Sequence, residues 1–173
     1  MEYEGEYLFD RKWNGKFYDE DENVLNTLKK GNGKVKEYDE SGKIKFEGEY
    51  LNGKRNGKGK EYLFGNLIYE GDYLNGLKHG KGKQYYDLGK LEYEGGFKNG
   101  LKHGKGKEYH YYGKLVFEGE YKNGKRNGKG KEYCFITGNL IFEGEYKNGE
   151  RNGKGKEYDG KGNIIYEGEF PRD

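Results

Sequence analysis

The chain of 173 residues has little of what disulfide-linked, membrane-spanning or thick-cored proteins contain. Its single cysteine, Cys134, excludes an internal disulfide, so nothing marks the chain as secreted. No stretch is apolar for long enough to span a membrane, and the first residues do not resemble a signal peptide. There is no alanine, with only 13 leucines, 6 isoleucines and 3 valines. We therefore expect a cytoplasmic protein with a thin hydrophobic core.

Charge of neither sign dominates the sequence. The 33 basic and 31 acidic residues nearly cancel, which argues against a nucleic-acid partner bound by bulk electrostatics. In place of aliphatic residues the chain has 19 tyrosines and 9 phenylalanines, whose rings supply apolar area. This composition indicates a folded chain with an aromatic core, as in a solenoid.

One stretch, FEGEYKNGKRNGKGKEY from Phe117 to Tyr133, recurs along the chain. Successive copies begin 23 to 25 residues apart. Such a period is the signature of stacked supersecondary units that cannot bury an apolar face alone. Near copies begin at Phe46, Tyr69, Tyr93 and Phe142, and a half-copy begins at Tyr166.

Each copy predicts one β-hairpin. Residues 117–121 alternate aromatic, acid, glycine, acid and aromatic, and Asn-Gly steps supply the tight reversal. We expect aromatic rings of the neighbouring strand to lie over Gly128 and Gly130. Strict alternation puts Tyr133 on the lysine face of the sheet, unless a bulge between Lys131 and Tyr133 moves it.

The chain divides by regularity into two parts. Residues 1–45 are predicted to form a divergent N-terminal repeat or cap, and residues 46–173 the regular repeats with a terminal half-repeat. Residues 23–30 fit either a short helical turn or a divergent strand. An atypical terminal unit is what a solenoid needs to cover its open end.

The recurring pattern Y/F-E-G-E/D-Y/F-x-N-G-x-x-N/H-G-K-G-K-x-Y resembles the MORN repeat. The copy at 93–109 departs from it, with Gly96 in place of the acid and Phe97 in place of tyrosine. The pattern is clearest at 117–133, 142–158, 46–62 and 69–85.

The resemblance implies an all-β fold, an elongated antiparallel array of β-hairpin repeats that forms a MORN-like solenoid. It also implies the roles known in that family, which are protein–protein scaffolding, dimerisation and attachment at membranes, sometimes through phosphoinositides.

Lysine pairs recur in register in every copy and have two interpretations. Aligned as a stripe, they could hold anionic lipid headgroups, at about 1 kcal/mol per lysine near an acidic surface. Alternatively, cross-strand pairing with the glutamates of adjacent strands explains them as sheet stabilisation. The candidate headgroup contacts are Lys58, Lys60, Lys81, Lys83, Lys105, Lys107, Lys129, Lys131, Lys154 and Lys156.

The segment after each lysine strand varies between copies. Varying segments of a solenoid often lie on its binding face, where exposed aromatic residues suit a protein partner. The alternative is that these side chains fold inward and cap the core. The candidate partner-binding ridge is Leu63, Phe64, Tyr86, Tyr111, Tyr112, Phe135 and Ile136.

No catalytic, metal or cofactor-binding site is expected. Ser41 is the only serine, and the glycine-rich runs lack the Ser or Thr and the helix of a phosphate-binding loop. His79 and His103 occupy equivalent positions 24 residues apart and are interpreted as turn residues.

The sequence therefore predicts a non-catalytic repeat scaffold that binds a protein partner or a second copy of itself, with no small-molecule substrate. The alternative is a peripheral membrane module that binds anionic phospholipids through the lysines.

Overall fold

The computed structural model describes residues 3–18 and 21–171, and all regular structure in these ranges is β. Within the same ranges no helix could cross a membrane. The chain forms two compact units, Met1–Gly89 and Lys90–Asp173. The predicted boundary after residue 45 is not the boundary between these two units, which lies after Gly89, and it stays a prediction.

The first unit contains two antiparallel groups of strands. A three-stranded sheet comes first, and five further strands then each pair with the next along the chain. The first group is β1 (Tyr3–Leu8), β2 (Arg11–Tyr18) and β3 (Val24–Leu28), and the second is β4 (Gly33–Tyr38), β5 (Ile44–Leu51), β6 (Lys54–Leu63), β7 (Asn66–Leu74) and β8 (Leu77–Tyr85).

The junction between these groups is apolar. Val35 of β4 stands where the regular repeats have the second glycine of the GKGK run, and it is buried against Phe17 and Leu28. Of the two alternatives for residues 23–30, the strand is observed, because Leu28 on β3 completes this cluster.

The second unit contains seven consecutive antiparallel strands, each paired with the next. The prediction of an all-β antiparallel array of hairpins is thereby confirmed. The strands are β9 (Leu91–Lys98), β10 (Leu101–Tyr109), β11 (Leu115–Lys122), β12 (Lys125–Tyr133), β13 (Leu140–Lys147), β14 (Glu150–Tyr158) and β15 (Ile164–Phe170).

Two-residue Asn-Gly turns close the hairpins. Between β11 and β12, Asn123 and Gly124 have φ of 51° and 84°, and the closing pair is Lys122 opposite Lys125. Two positive φ values are what a type I′ turn requires, and its twist matches that of the strands. The register of each hairpin follows from this turn.

The core consists of aromatic rings lying on glycines. Phe117 is fully buried, and a Cβ atom placed on Gly130 would lie 2.5 Å from its Cζ atom. The expectation for Gly130 is therefore confirmed, whereas that for Gly128 is wrong. Gly128 has a φ of 106° and lies beneath the carboxylate of Glu120 rather than beneath a ring.

Candidate interaction surfaces

The aromatic face, defined as the sheet face that carries the first aromatic residue of each hairpin, is closed by cations. A lysine or arginine of the same hairpin lies above each ring, and the quadrupole of the ring attracts this cation. The centroid distances are 4.1 Å for Arg55 over Phe46, 4.4 Å for Lys78 over Tyr69, 4.6 Å for Lys102 over Tyr93, 4.0 Å for Arg126 over Phe117 and 4.3 Å for Arg151 over Phe142.

Glutamates link these cations into an ion-pair ladder. Arg126 Nη2 lies 2.6 Å from Glu108 Oε2, and its Nη1 lies 3.1 Å from Glu132 Oε1. Burial favours the neutral form of Glu108, but the hydrogen bond and charge of Arg126 lower the pKa of this carboxyl below its usual value. The same bridging connects Arg151 to Glu132 and Glu157, and Arg55 to Glu37 and Glu61.

The ladder is absent from the sequence-based interpretation, although the sequence contains its signal. In the copy that begins at Phe117, Arg126 precedes Glu132 by six residues, and the same offset separates Arg55 from Glu61 in the copy that begins at Phe46. The aromatic face is therefore a charge-covered core rather than an open binding groove.

The lysine face is the opposite sheet face, and all ten candidate lysines lie there, exposed or half-exposed. Five form cross-strand ion pairs, as the structural interpretation expects. These pairs are Lys58–Asp72 at 2.5 Å, Lys60–Glu47 at 3.7 Å, Lys107–Glu118 at 4.0 Å, Lys131–Glu143 at 3.8 Å and Lys156–Glu167 at 3.3 Å. Of the other five, Lys81 acts on Asp72 through its charge and through its main-chain N–H, which donates to Asp72 Oδ2 at 3.0 Å. The remaining four, which form no ion pair with the described acids, are Lys83, Lys105, Lys129 and Lys154.

Tyr133 lies on the lysine face and anchors neighbouring strands. The register does shift between Glu132 and Tyr133, but the extra residue is Ile141 on β13, so the bulge leaves Tyr133 where alternation puts it. Its hydroxyl donates to Glu118 Oε1 at 2.7 Å, and burial together with this bond raises the pKa of Tyr133 to about 12. Equivalent bonds join Tyr62 to Glu47, Tyr85 to Glu70, Tyr109 to Glu94 and Tyr158 to Glu143.

The loop surface of the second unit, defined as residues 110–114 and 134–139, is both apolar and internally braced. Tyr112 is 73% exposed and Ile136 is 67% exposed. The His110 ring stacks on Phe135 with centroids 4.4 Å apart, and Lys114 Nζ donates to the Ile136 carbonyl. Contacts between successive loops thus hold exposed apolar side chains in place.

The structure separates the seven ridge candidates by unit and by exposure. In the first unit, Leu63 and Phe64 are exposed while Tyr86 is half-buried. In the second unit, Tyr111 is half-buried beneath Lys90, and the candidates Tyr112, Phe135 and Ile136 are exposed. Leu88, which the candidate ridge did not include, is 74% exposed. Its position in one of the varying loops could have identified it as a candidate.

The interpretation of His79 and His103 as turn residues is wrong. They lie within strands, on β8 and β10, each next to a glycine with positive φ. Among the described residues, no cluster of three or more His, Cys, Asp or Glu side chains could hold a metal ion.

Comparison with known families decides what these repeats are. The model of the MORN repeat family matches five segments that together make up more than half of the chain: 46–63, 69–87, 93–110, 117–135 and 142–164. The chain belongs to the MORN repeat family. A MORN repeat variant also matches residues 32–52 and 102–123, so the likeness extends into the divergent N-terminal part.

The five MORN segments begin where the sequence analysis places its five copies, which confirms the resemblance. MORN repeats are non-catalytic modules that generally serve protein or membrane interaction. No curated protein matches this chain.

Proposed function

We propose that this chain is a cytoplasmic, non-catalytic MORN scaffold that binds a protein partner through the loop surface of its second unit. The observation that carries the proposal is the contrast between surfaces. Both sheet faces are covered by charged side chains, whereas Tyr112, Phe135 and Ile136 expose neighbouring apolar groups. Clusters of exposed tyrosine and aliphatic side chains are typical of binding sites.

The bracing of the loops supports the same proposal. Ordering a mobile side chain on binding costs roughly 0.5–1.5 kcal/mol. The His110–Phe135 stack and the Lys114 bond fix these loops before any partner arrives. A partner therefore meets a surface whose ordering cost has largely been met by folding.

Photo-crosslinking in cells of the native host tests the proposal. A photoreactive residue replaces Tyr112 in one variant and Lys105, which is exposed on the lysine face, in a control variant. We expect a discrete crosslinked protein from position 112 and not from position 105. The Ile136→Ser change should abolish that crosslink without changing the melting temperature. Equal crosslinking from both positions would contradict the proposal, and a crosslink only to the chain itself would identify self-association as the function.

The second candidate is a peripheral membrane module, favoured by the four lysines that form no ion pair with the described acids. Its test is flotation with vesicles containing anionic phospholipid at low and high salt. Binding that falls steeply with salt and is reduced by Lys105→Gln with Lys129→Gln would support it. Binding that depends instead on Tyr112 would count against the lysines.

A further inference from the structure

The loops of the second unit carry positive charge that no described acid pairs with. The loop surface, together with the next loop at 159–163, contains two lysines, Lys114 and Lys161, and one acid, Asp159. Both lysines are exposed, and neither forms an ion pair with an acid in the part of the chain that the structure describes. The apolar side chains of the loop surface are therefore flanked by positive charge.

Asp159 uses its carboxylate within its own turn. Its Oδ1 accepts hydrogen bonds from the main-chain N–H groups of Lys161 at 2.8 Å and Asn163 at 2.9 Å, and its Oδ2 accepts one from Asn163 Nδ2 at 2.9 Å. The bond from the Asn163 side chain, together with those from the main chain, holds the pKa of Asp159 below its usual value. Asp159 thus stabilises the turn and is not paired with the ammonium group of either lysine.

The charge of Lys114 acts on the loop surface itself. An ammonium group has three N–H donors, and Lys114 Nζ uses one of them on the Ile136 carbonyl. Hydrogen bonds from Thr137 and from the main chain of Ile136, together with the charge of Lys114, lower the pKa of the Cys134 thiol. The surroundings of these exposed apolar side chains therefore favour a negatively charged group.

The loops form a row whose spacing sets the length of a matching ligand. Contacts join each loop to the next, as where Asn139 Nδ2 donates to the Gly160 carbonyl at 2.6 Å. Two strands separate successive loops, so at about 4.8 Å per strand Lys114 and Lys161 lie about 20 Å apart, with the loop at 134–139 between them. An extended chain rises about 3.3 Å per residue and covers this distance in about six residues.

We propose that the loop surface selects an extended partner segment in which apolar residues lie between two acids about six positions apart. The inference rests on the proposed function and names the chemistry of the partner. One carboxylate pairs with Lys114 and the other with Lys161, while the apolar side chains contact Tyr112, Phe135 and Ile136. Alternate residues of an extended segment point the same way, which gives the pattern acid-x-apolar-x-apolar-x-acid. Apolar contacts supply affinity, and the charges select the partner.

The probe is a fluorescent peptide, ETFTITE, and its matched control, KTFTITK, reverses both charges. Fluorescence anisotropy should show that ETFTITE binds at least ~10-fold more tightly than KTFTITK, with a smaller difference at high salt. In the isotope-labelled chain, amide shifts should fall in residues 110–114, 134–139 and 159–163, and Ile136→Ser should abolish binding. Shifts confined to the lysine face, equal binding of the two peptides, or binding of neither would overturn the proposal.

A charge exchange shows whether the lysines act through their charge. The Lys161 side chain forms no hydrogen bond or ion pair with the described residues, so Lys161→Glu should leave the loops braced. This variant should bind ETFTITE more weakly than the unaltered chain does. It should bind one of the two mixed peptides, ETFTITK or KTFTITE, more tightly, because one of them places its lysine at position 161. Loss of ETFTITE binding without such a gain would contradict the pairing.

The outcome separates this inference from the proposed function. A protein crosslinked from position 112, with no binding of ETFTITE, would leave the proposed function standing and refute the acidic pattern. Failure of both experiments would refute both.

Discussion

The arrangement of Phe117 on Gly130 gives a prediction whose sign is unusual. Replacing glycine by alanine at a position with ordinary φ normally stabilises a protein, by about 0.4–1 kcal/mol, because the unfolded chain loses freedom. Gly130 lies within β12 and its φ is not positive. We nevertheless expect Gly130→Ala to be destabilising.

The magnitude follows from the contact. The new Cβ would lie 2.5 Å from Cζ of Phe117 and 3.1 Å from Cε2 of Tyr146. The Phe117 ring cannot rise to make room, because the Arg126 guanidinium lies 4.0 Å from its centroid. Overpacking of this kind costs about 1–3 kcal/mol, which exceeds the entropic gain.

The change in the free energy of unfolding is measured by urea denaturation monitored by circular dichroism, with Gly160→Ala as a matched control. A Cβ on Gly160 would meet nothing within 4 Å, so that variant should leave the midpoint unchanged or raise it. A double-mutant cycle combines Gly130→Ala with Phe117→Ala. Once the Phe117 ring is absent, Gly130→Ala should lower the free energy of unfolding much less. Equal midpoints for the two glycine variants would refute the packing argument.

The ladder and the tyrosine anchors give the remaining predictions. Arg126→Met should lower the free energy of unfolding by about 1–3 kcal/mol in urea melts, because Glu108 and Glu132 lose the guanidinium that bridges them and Glu108 keeps Lys102 alone. Arg126→Lys should lower it less. Folding lowers the pKa of Glu108, so the stabilising contribution of this carboxylate is present above its unfolded pKa and is lost as the pH falls. At pH values below about 4, the urea concentration at the unfolding midpoint should therefore decrease. The decrease should be smaller in the Arg126→Met variant. Folding raises the pKa of Tyr133 to about 12, so the contribution of this hydroxyl to stability is present below about pH 10 and is lost as the pH rises further. In the Glu118→Gln variant, ultraviolet titration should show one tyrosine that ionises at a lower pH than in the unaltered chain.

The hairpins could be predicted from sequence because their signals are local. Period-two alternation and Asn-Gly turns act within a few residues, and the turn at Asn123 sets the register of its whole hairpin. The ion-pair ladder could not be predicted as readily. Arg126 and Glu108 are 18 residues apart and meet only because consecutive hairpins stack in one register.

The two glycines of GKGK show the same limit at a finer scale. In sequence, Gly128 and Gly130 are equivalent candidates to receive a ring. In the structure, a register shift falls between Gly119 and Tyr121 on the partner strand, so that Gly130 pairs with Gly119 while Gly128 adopts a left-handed conformation. Exposure of the loop candidates likewise depends on contacts between loops, such as His110 with Phe135, which no single repeat encodes.

The position of the tyrosine anchors supports the proposal that binding resides in the loops. Tyr133 ends β12, and its bond to Glu118 fixes the point from which the loop at 134–139 departs. The aromatic core and the ladder lie on the other face and make no demand on the residues beyond that anchor. Loop sequence can therefore differ between repeats while the hairpins stay in register, and under the proposed function Tyr112 and Ile136 serve contact rather than folding. If so, replacing residues 134–139 by Asp-Gly-Lys-Gly-Asn, the loop that follows Tyr158, should leave the melting temperature nearly unchanged and abolish partner binding. A large loss of stability would show that the loops belong to the core.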